Sequence, residues 1–403
     1  MWNEKTKQLV AENKLAVIGV VQEQHAERAR LYKQWKQYDF PIVQDSVTAL
    51  GLSVVPVPIL IDEYGYVLDS RPKINQIEEL VNQNCSVPTR AAPVLVAEQT
   101  TADWLTSNAS NSDPIQSSIA VGDALLREGT AQPTTEAVKQ YQNAAKQAEL
   151  DGETQLMGLA LFRMGVAYRR LFDFADTQDQ DPELFAKAAD AWTRSLSANP
   201  RQYIWRRRIQ QYGPRQSKPY PFYDWVDQAI REISARGETP IELTVPLSGA
   251  EIAQPQRKFE AIATAFESPD PNGMIDRDLD GLVAHHATVV PQTILAGETV
   301  RVHLRFTPET GHWNNEAEEL LVWIDRPKHG TVSNQRLVYP NAKEPSSDEV
   351  RTLEFEFKTN GDVTDEIELT GYALLYVCTN ANGQCLFLRH DLSIPVKIKS
   401  NRN

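Results

Sequence analysis

Two cysteines near the carboxyl end, Cys378 and Cys385, flank a tight-turn pair, Asn382-Gly383. Tyr372, Leu374 and Tyr376 precede the turn and Leu386 and Leu388 follow it. Apolar and aromatic arms around such a pair predict a β-hairpin with one thiol on each arm. Thiols so placed can close a short disulfide, and a loop at a hairpin tip is open to another protein's thiolate. The same spacing serves equally well as an inert staple. Cys85, in NQNCSVPTR, stands alone and distant, a setting in which a thiol is usually unreactive. Three cysteines are too few for a disulfide scaffold and lack zinc spacing.

Other charged clusters offer weaker chemistry. Asp276, Asp278 and Asp280 alternate in DRDLDG as at the start of a calcium loop, but Ala287 stands where the bidentate Glu belongs. An acidic surface turn is the expectation. His285 and His286 adjoin it, and neighbouring strand residues point to opposite faces, so they do not share one ligand set. Arg201, Arg206, Arg207, Arg208 and Arg215 alternate with aromatics like a nucleic-acid patch. The net charge of -13 argues against that role, because phosphate neutralisation needs a basic surface. A solvated helix docking an acidic partner is expected instead, with no nucleic acid and no cofactor.

The elements that must position these residues fall into blocks. At 403 residues the chain can hold two to four domains, each with its own core. Nothing approaches about 18 consecutive apolar residues, so no membrane span is predicted. The amino end, MWNEKTKQLVAENK, has no apolar signal core. Residues 1–90 alternate strand and helix: LAVIGVV reads as a strand buried on both faces, and the next helix turns Ala29, Tyr32 and Trp35 inward. PIVQD follows as a strand, then a brief helix over Val47 to Leu50, two strands joined at Glu63-Tyr64-Gly65, and a closing helix from Ile74. Residues 91–114 read as a linker and 115–235 as helices. Residues 236–403 hold short strands, IELTVPL first, separated by Gly, Pro, Asn and Asp.

The order strand, helix, FPIVQD and VVPVPILIDEYGYV resembles the thioredoxin-like fold, in the branch of membrane-tethered thioredoxins and peroxiredoxin-like proteins, with Val55, Pro56, Asp62 and Gly65 matching. The resemblance implies a cis-proline at Pro56. The family's thiols precede the strand matched by LAVIGVV; here 14 residues precede it and none is cysteine. The expectation is a unit without Cys-x-x-Cys, non-catalytic in this chain, begun late by a truncated gene model and leaving apolar surface uncovered.

In the helical block Gly122 and Ala137, then Gly165 and Ala188, mark two helix pairs. Tyr141, Tyr168 and Trp192 follow at helical spacing, and Asn199-Pro200 ends the second pair. This resembles the tetratricopeptide repeat, which implies a peptide groove or a spacer.

TVRVHLRFTPETGHWNN, LVYPNAKEP and LTGYALLYVCTNANGQC together resemble the amino-terminal, periplasmic domain of the DsbD thiol:disulfide interchange protein, with Gly311, His312 and Trp313 matching the turn after its opening strand. That resemblance implies an antiparallel, immunoglobulin-like β-sandwich and a catalytic pair, Cys378 and Cys385, capped by Tyr372, Tyr376, His312 and Trp313. His390 would reach the thiols only by folding back over the hairpin. The whole is then a multidomain α/β + α + β chain for extracytoplasmic thiol-disulfide exchange. Its partners would be protein thiols and disulfides, a thioredoxin-like protein among them. The alternative is a non-catalytic scaffold with a structural bridge.

Overall fold

The computed structural model describes residues 2–83, 113–261, 266–363, 366–379 and 383–399. Cys85, Asn382 and nearly all of the expected linker lie outside the described residues. The class is mixed: an α/β segment, a run of helices, and several β-sheets.

The first segment runs α1 (Trp2–Ala11), β1 (Gly19–Val21), α2 (Ala26–Lys36), β2 (Ile42–Gln44), β3 (Leu60–Ile61), β4 (Val67–Asp69) and α3 (Ile77–Val81). β1 and β2 pair in parallel, and β3 and β4 pair antiparallel. The reversal between the latter is held by Asp62, whose Oδ1 accepts the Tyr64 and Tyr66 amides, with Gly65 at φ 88°. The Val55–Pro56 peptide is cis.

Two expectations fail here, and a third, the inward face of α2, is met in part. LAVIGVV yields a three-residue strand that is not buried on both faces: Ile18 is 60% and Val20 43% exposed. Among the described residues β1 has β2 as its only strand partner. In α2 the buried residues are Arg28, Leu31 and Trp35, with Ala29 and Tyr32 half-buried. Val47 to Leu50 forms turns rather than a helix, because Thr48 adopts φ 58° while Asp45 accepts the Ala49 amide at 2.8 Å.

Four long helices follow: α4 (Pro114–Arg127), α5 (Ala131–Leu150), α6 (Thr154–Phe174) and α7 (Pro182–Ala198). α4 and α7 begin on an Asp-Pro pair, Asp113 and Asp181 each accepting the amide two residues on, which satisfies one of the open N–H groups of a first turn. Gly122 and Gly165 let the helices close. A Cβ on Gly122 would stand 2.6 Å from the Tyr141 ring, and one on Gly165 would stand 2.4 Å from Trp192 Nε1. Each small residue thus seats the aromatic of the next helix. α8 (Tyr203–Tyr212) and α9 (Val226–Ala235) complete the run. α8 is not a solvated helix: Ile204, Trp205, Arg208 and Tyr212 are buried.

The remaining strands are β5 (Val283–Val290), β6 (Thr293–Ile294), β7 (Thr299–Pro308), β8 (Gly311–Asn314), β9 (Leu320–Ile324), β10 (Gly330–Val332), β11 (Arg336–Tyr339), β12 (Ser346–Ser347), β13 (Arg351–Thr359), β14 (Ile367–Thr379) and β15 (Cys385–Ile398). One sheet has the order β10-β13-β7-β5; the other runs β11-β9-β14-β15-β6, with β8 on β14 and β12 on β8. Side chains from both sheets meet in a single apolar core that includes Val302, Phe306, Phe357, Leu375 and Val377. IELTVPL forms no strand: Pro240 precedes it and Pro246 lies within it, each lacking an N–H for a ladder. A short helix, α10 (Gly249–Ile252), follows on a capping box between Ser248 and Glu251.

Buried polar contacts lock these parts together. Arg28 of α2 reaches Glu251 of α10 at 2.5 Å, and Glu251 also accepts from Gln211 of α8 at 2.6 Å. His25 meets Asp173 of α6 at 2.9 Å, and His303 of β7 meets the Tyr212 carbonyl at 2.9 Å. Burial alone would raise the Glu251 carboxyl; the guanidinium charges of Arg28 and Arg169 overcome it and hold the group well below the usual carboxylate range.

Candidate functional site: the β14–β15 hairpin

The arms pair in register from Ile367↔Val396 to Cys378↔Cys385, and alternate residues on each, Leu369, Leu375 and Val377 on β14 and Leu388, Leu392 and Ile394 on β15, enter the core. Leu375 and Val377 turn into the core, so the even-numbered residues Tyr372, Leu374, Tyr376 and Cys378 take the opposite face. Cys378 and Cys385 are directly opposite one another and joined by a disulfide. Their environments differ: Cys378 is 5% exposed, while Cys385 lies in the exposed class. The tip closes through Thr379 N–H to Gln384 O at 2.9 Å, with Gly383 at φ 66°.

β8 flanks Cys378 on its other side. Its register sets His312 against Cys378 and Trp313 against Val377. His312, Cys378 and Cys385 therefore form one row across three strands, on one face. Gly311 makes the approach feasible, since a Cβ there would lie 2.6 Å from the Cys378 carbonyl oxygen. GHWN, read as a turn, is a strand, because its amides and carbonyls have β14 to pair with.

Tyr376 sits one rung below Cys378 on the same face and stacks on Phe387, ring centroids 4.4 Å apart. Its hydroxyl is pushed up by burial and then by the charge of Glu318, to which it hydrogen-bonds. Phe387 and Glu318 escaped the sequence reading; two-residue alternation from Cys385 would have found Phe387.

Two expected capping residues stand elsewhere. Trp313 points into the core at 1% exposure, its Nε1 donating to the Glu349 carbonyl at 2.8 Å. Tyr372 is six positions from Cys378, roughly 20 Å along an extended strand. Its hydroxyl accepts the Asp270 amide at 2.9 Å and meets Ser268 Oγ at 2.7 Å, under the Arg389 guanidinium. His390 is also remote from the thiols: opposite Ala373, it bonds through Nε2 to His285 Nδ1 at 2.6 Å.

The acidic turn has its own structural duty. The Asp278 side chain is buried and accepts the Leu282 and Val283 amides at 2.9 and 3.0 Å. Among the described residues no group of three or more His, Cys, Asp or Glu side chains is arranged to hold a metal ion. No helix of the described residues is long and apolar enough to cross a membrane.

Among the described residues β15 has a strand on its outer edge only from Lys397 onward, apart from one isolated bridge at Arg389. Among the described residues the backbone edge beside Cys385 has no strand partner.

No protein-family model and no curated protein matches this sequence. Among solved structures, one described as "AvmM Catalyzes Macrocyclization in Alchivemycin A Biosynthesis" aligns at 13% identity over 30% of this chain and 91% of its own, with a TM-score of 0.18. The sporulation control protein Spo0M of Bacillus subtilis aligns at 10% identity over 30% of this chain and 51% of its own, with a TM-score of 0.16. At these scores neither likeness carries an argument about fold or activity.

Proposed function

We propose that the chain exchanges a disulfide for a dithiol with protein partners outside the cytoplasm, through Cys378 and Cys385. The observation that carries this reading is the asymmetry of the pair: one cysteine is exposed at a hairpin tip, its partner is buried beneath it. A partner thiolate attacks Cys385 Sγ; the new S–S bond joins partner and Cys385, and Cys378 leaves as a thiolate that takes a proton from water. A second partner thiolate then attacks the partner's own sulfur in the mixed disulfide and releases Cys385. The partner loses two electrons and the pair gains them; run in reverse, the pair reduces a partner disulfide. The open edge of β15 supports the reading, since an extended segment of a partner could add there as a strand.

On this reading the two-sheet unit is an immunoglobulin-like sandwich similar to the amino-terminal domain of DsbD. The helices are tetratricopeptide-like and fix spacing or hold a client. Residues 2–83 are a thioredoxin-like unit without thiols of its own.

The test is equilibration of the full chain with reduced thioredoxin, free thiols being counted by alkylation and mass spectrometry. Exchange is expected, at a potential within about -270 to -120 mV, the range of exchange proteins. A pair that stays oxidised below about -300 mV and ignores thioredoxin is a structural staple.

A further inference from the structure

Far from the cysteines in sequence, α2, the β1–β2 sheet, α8 and the loop after it enclose a cavity of about 300 Å³. Tyr32, Tyr220, Phe222 and Trp225 give it aromatic walls. The size and the lining suit a small ligand with an apolar body.

Its charges do not balance. Arg28 is paired with Glu251. Glu23 is fully engaged, Oε1 accepting the Gln24 and His25 amides and Oε2 the Tyr223 hydroxyl. Arg207 has no such partner among the described residues. Its guanidinium lies 3.7 Å from the Tyr220 ring centroid and 4.0 Å from that of Phe222, and its Nη1 is buried with no hydrogen-bond partner. Ring faces offset part of the cost of burying a cation, but they leave Nη1 unused, and an unmet buried donor is costly. A second lining group is also unmet: Gln22 Oε1 is buried without a partner, its amide nitrogen being committed to Asp45 at 3.0 Å.

The geometry points to a binding site for an organic carboxylate on an apolar body that carries an amide N–H. The carboxylate meets Arg207, whose planar fork matches it, the N–H meets Gln22 Oε1, and the body lies against the rings. A free N-acyl amino acid and the carboxyl-terminal residue of a peptide share this chemistry. The site is independent of the thiol reading.

The probe is N-acetyl-L-phenylalanine, titrated into the full chain and followed by tryptophan fluorescence or calorimetry. Beside it run N-acetyl-L-phenylalaninamide, which lacks the charge, and Ala-Ala-Ala-Phe, which reports the peptide source. We expect saturable binding of the acid, with the amide at least about tenfold weaker, the worth of one charged hydrogen bond. Arg207→Gln should weaken the acid about tenfold and leave the amide unchanged; tighter binding of the tetrapeptide assigns the site to peptide ends. Equal affinity for acid and amide overturns the proposal, as does the absence of saturable acid binding at millimolar concentration. The acid–amide comparison needs only the unmodified protein.

Discussion

Arg28 and Glu251 are 223 positions apart in the sequence and 2.5 Å apart in space, with side chains 1% and 0% exposed. A buried pair owes its stability to complete hydrogen bonding, and removing one member strands the other. Here Glu251 also accepts from Gln211 and from the Ser248 amide, so three segments, α2, α8 and the α10 turn, depend on one carboxylate. Glu251→Ala is expected to destabilise by about 3–5 kcal/mol. Arg28→Met with Glu251→Leu should recover most of that loss, as read by urea denaturation.

Gly165→Ala asks α6 and α7 to separate, because the new methyl would meet Trp192 Nε1 at 2.4 Å. Overpacking of this kind costs about 1–3 kcal/mol. A lowered melting temperature with unchanged helical circular dichroism is the expected result.

Tyr372→Phe removes a hydroxyl that serves Asp270 and Ser268, not the thiols. The expected loss is about 1–3 kcal/mol for the stranded buried partners, with no change in the rate at which dithiothreitol reduces Cys378–Cys385. A changed rate would return Tyr372 to the site.

His285 gives a pH dependence of definite sign. Burial, then the adjoining His390, lowers its pKa to about 4. Between about 4 and the ordinary 6.5 the unfolded chain binds a proton that the folded chain does not. The contribution is therefore present above about pH 6.5 and is lost as the pH falls toward 4. Melting temperatures of the wild type and His285→Leu, measured across that window, should converge at the acid end.

Much of this was legible in the sequence, and for physical reasons. The four long helices announced themselves through 3.6-residue periodicity, and Gly122 and Gly165 marked the close contacts. The hairpin was plain because a tight turn joins two alternating runs, a purely local signal. Long-range facts were not. Arg28 reads as a surface cation on α2 until Glu251 comes to meet it, and GHWN reads as a turn until β14 offers a ladder. IELTVPL erred the other way: its alternation is genuine, but Leu243 and Leu247 pack beside α2 and α9 without entering a sheet. At the site, Cys378 and Cys385 were found, but which aromatics faced them depended on register. Trp313 and Tyr376 differ by one position of parity relative to the thiols, and only the pairing of β8 with β14 decides it.

The disulfide closes a ladder that already runs from Ile367↔Val396 upward, at the end where paired strands fray first. The rungs below it are anchored separately, by Leu375 and Val377 in the core. On the exchange reading proposed above, opening the bridge would free only the last rungs and leave those contacts in place.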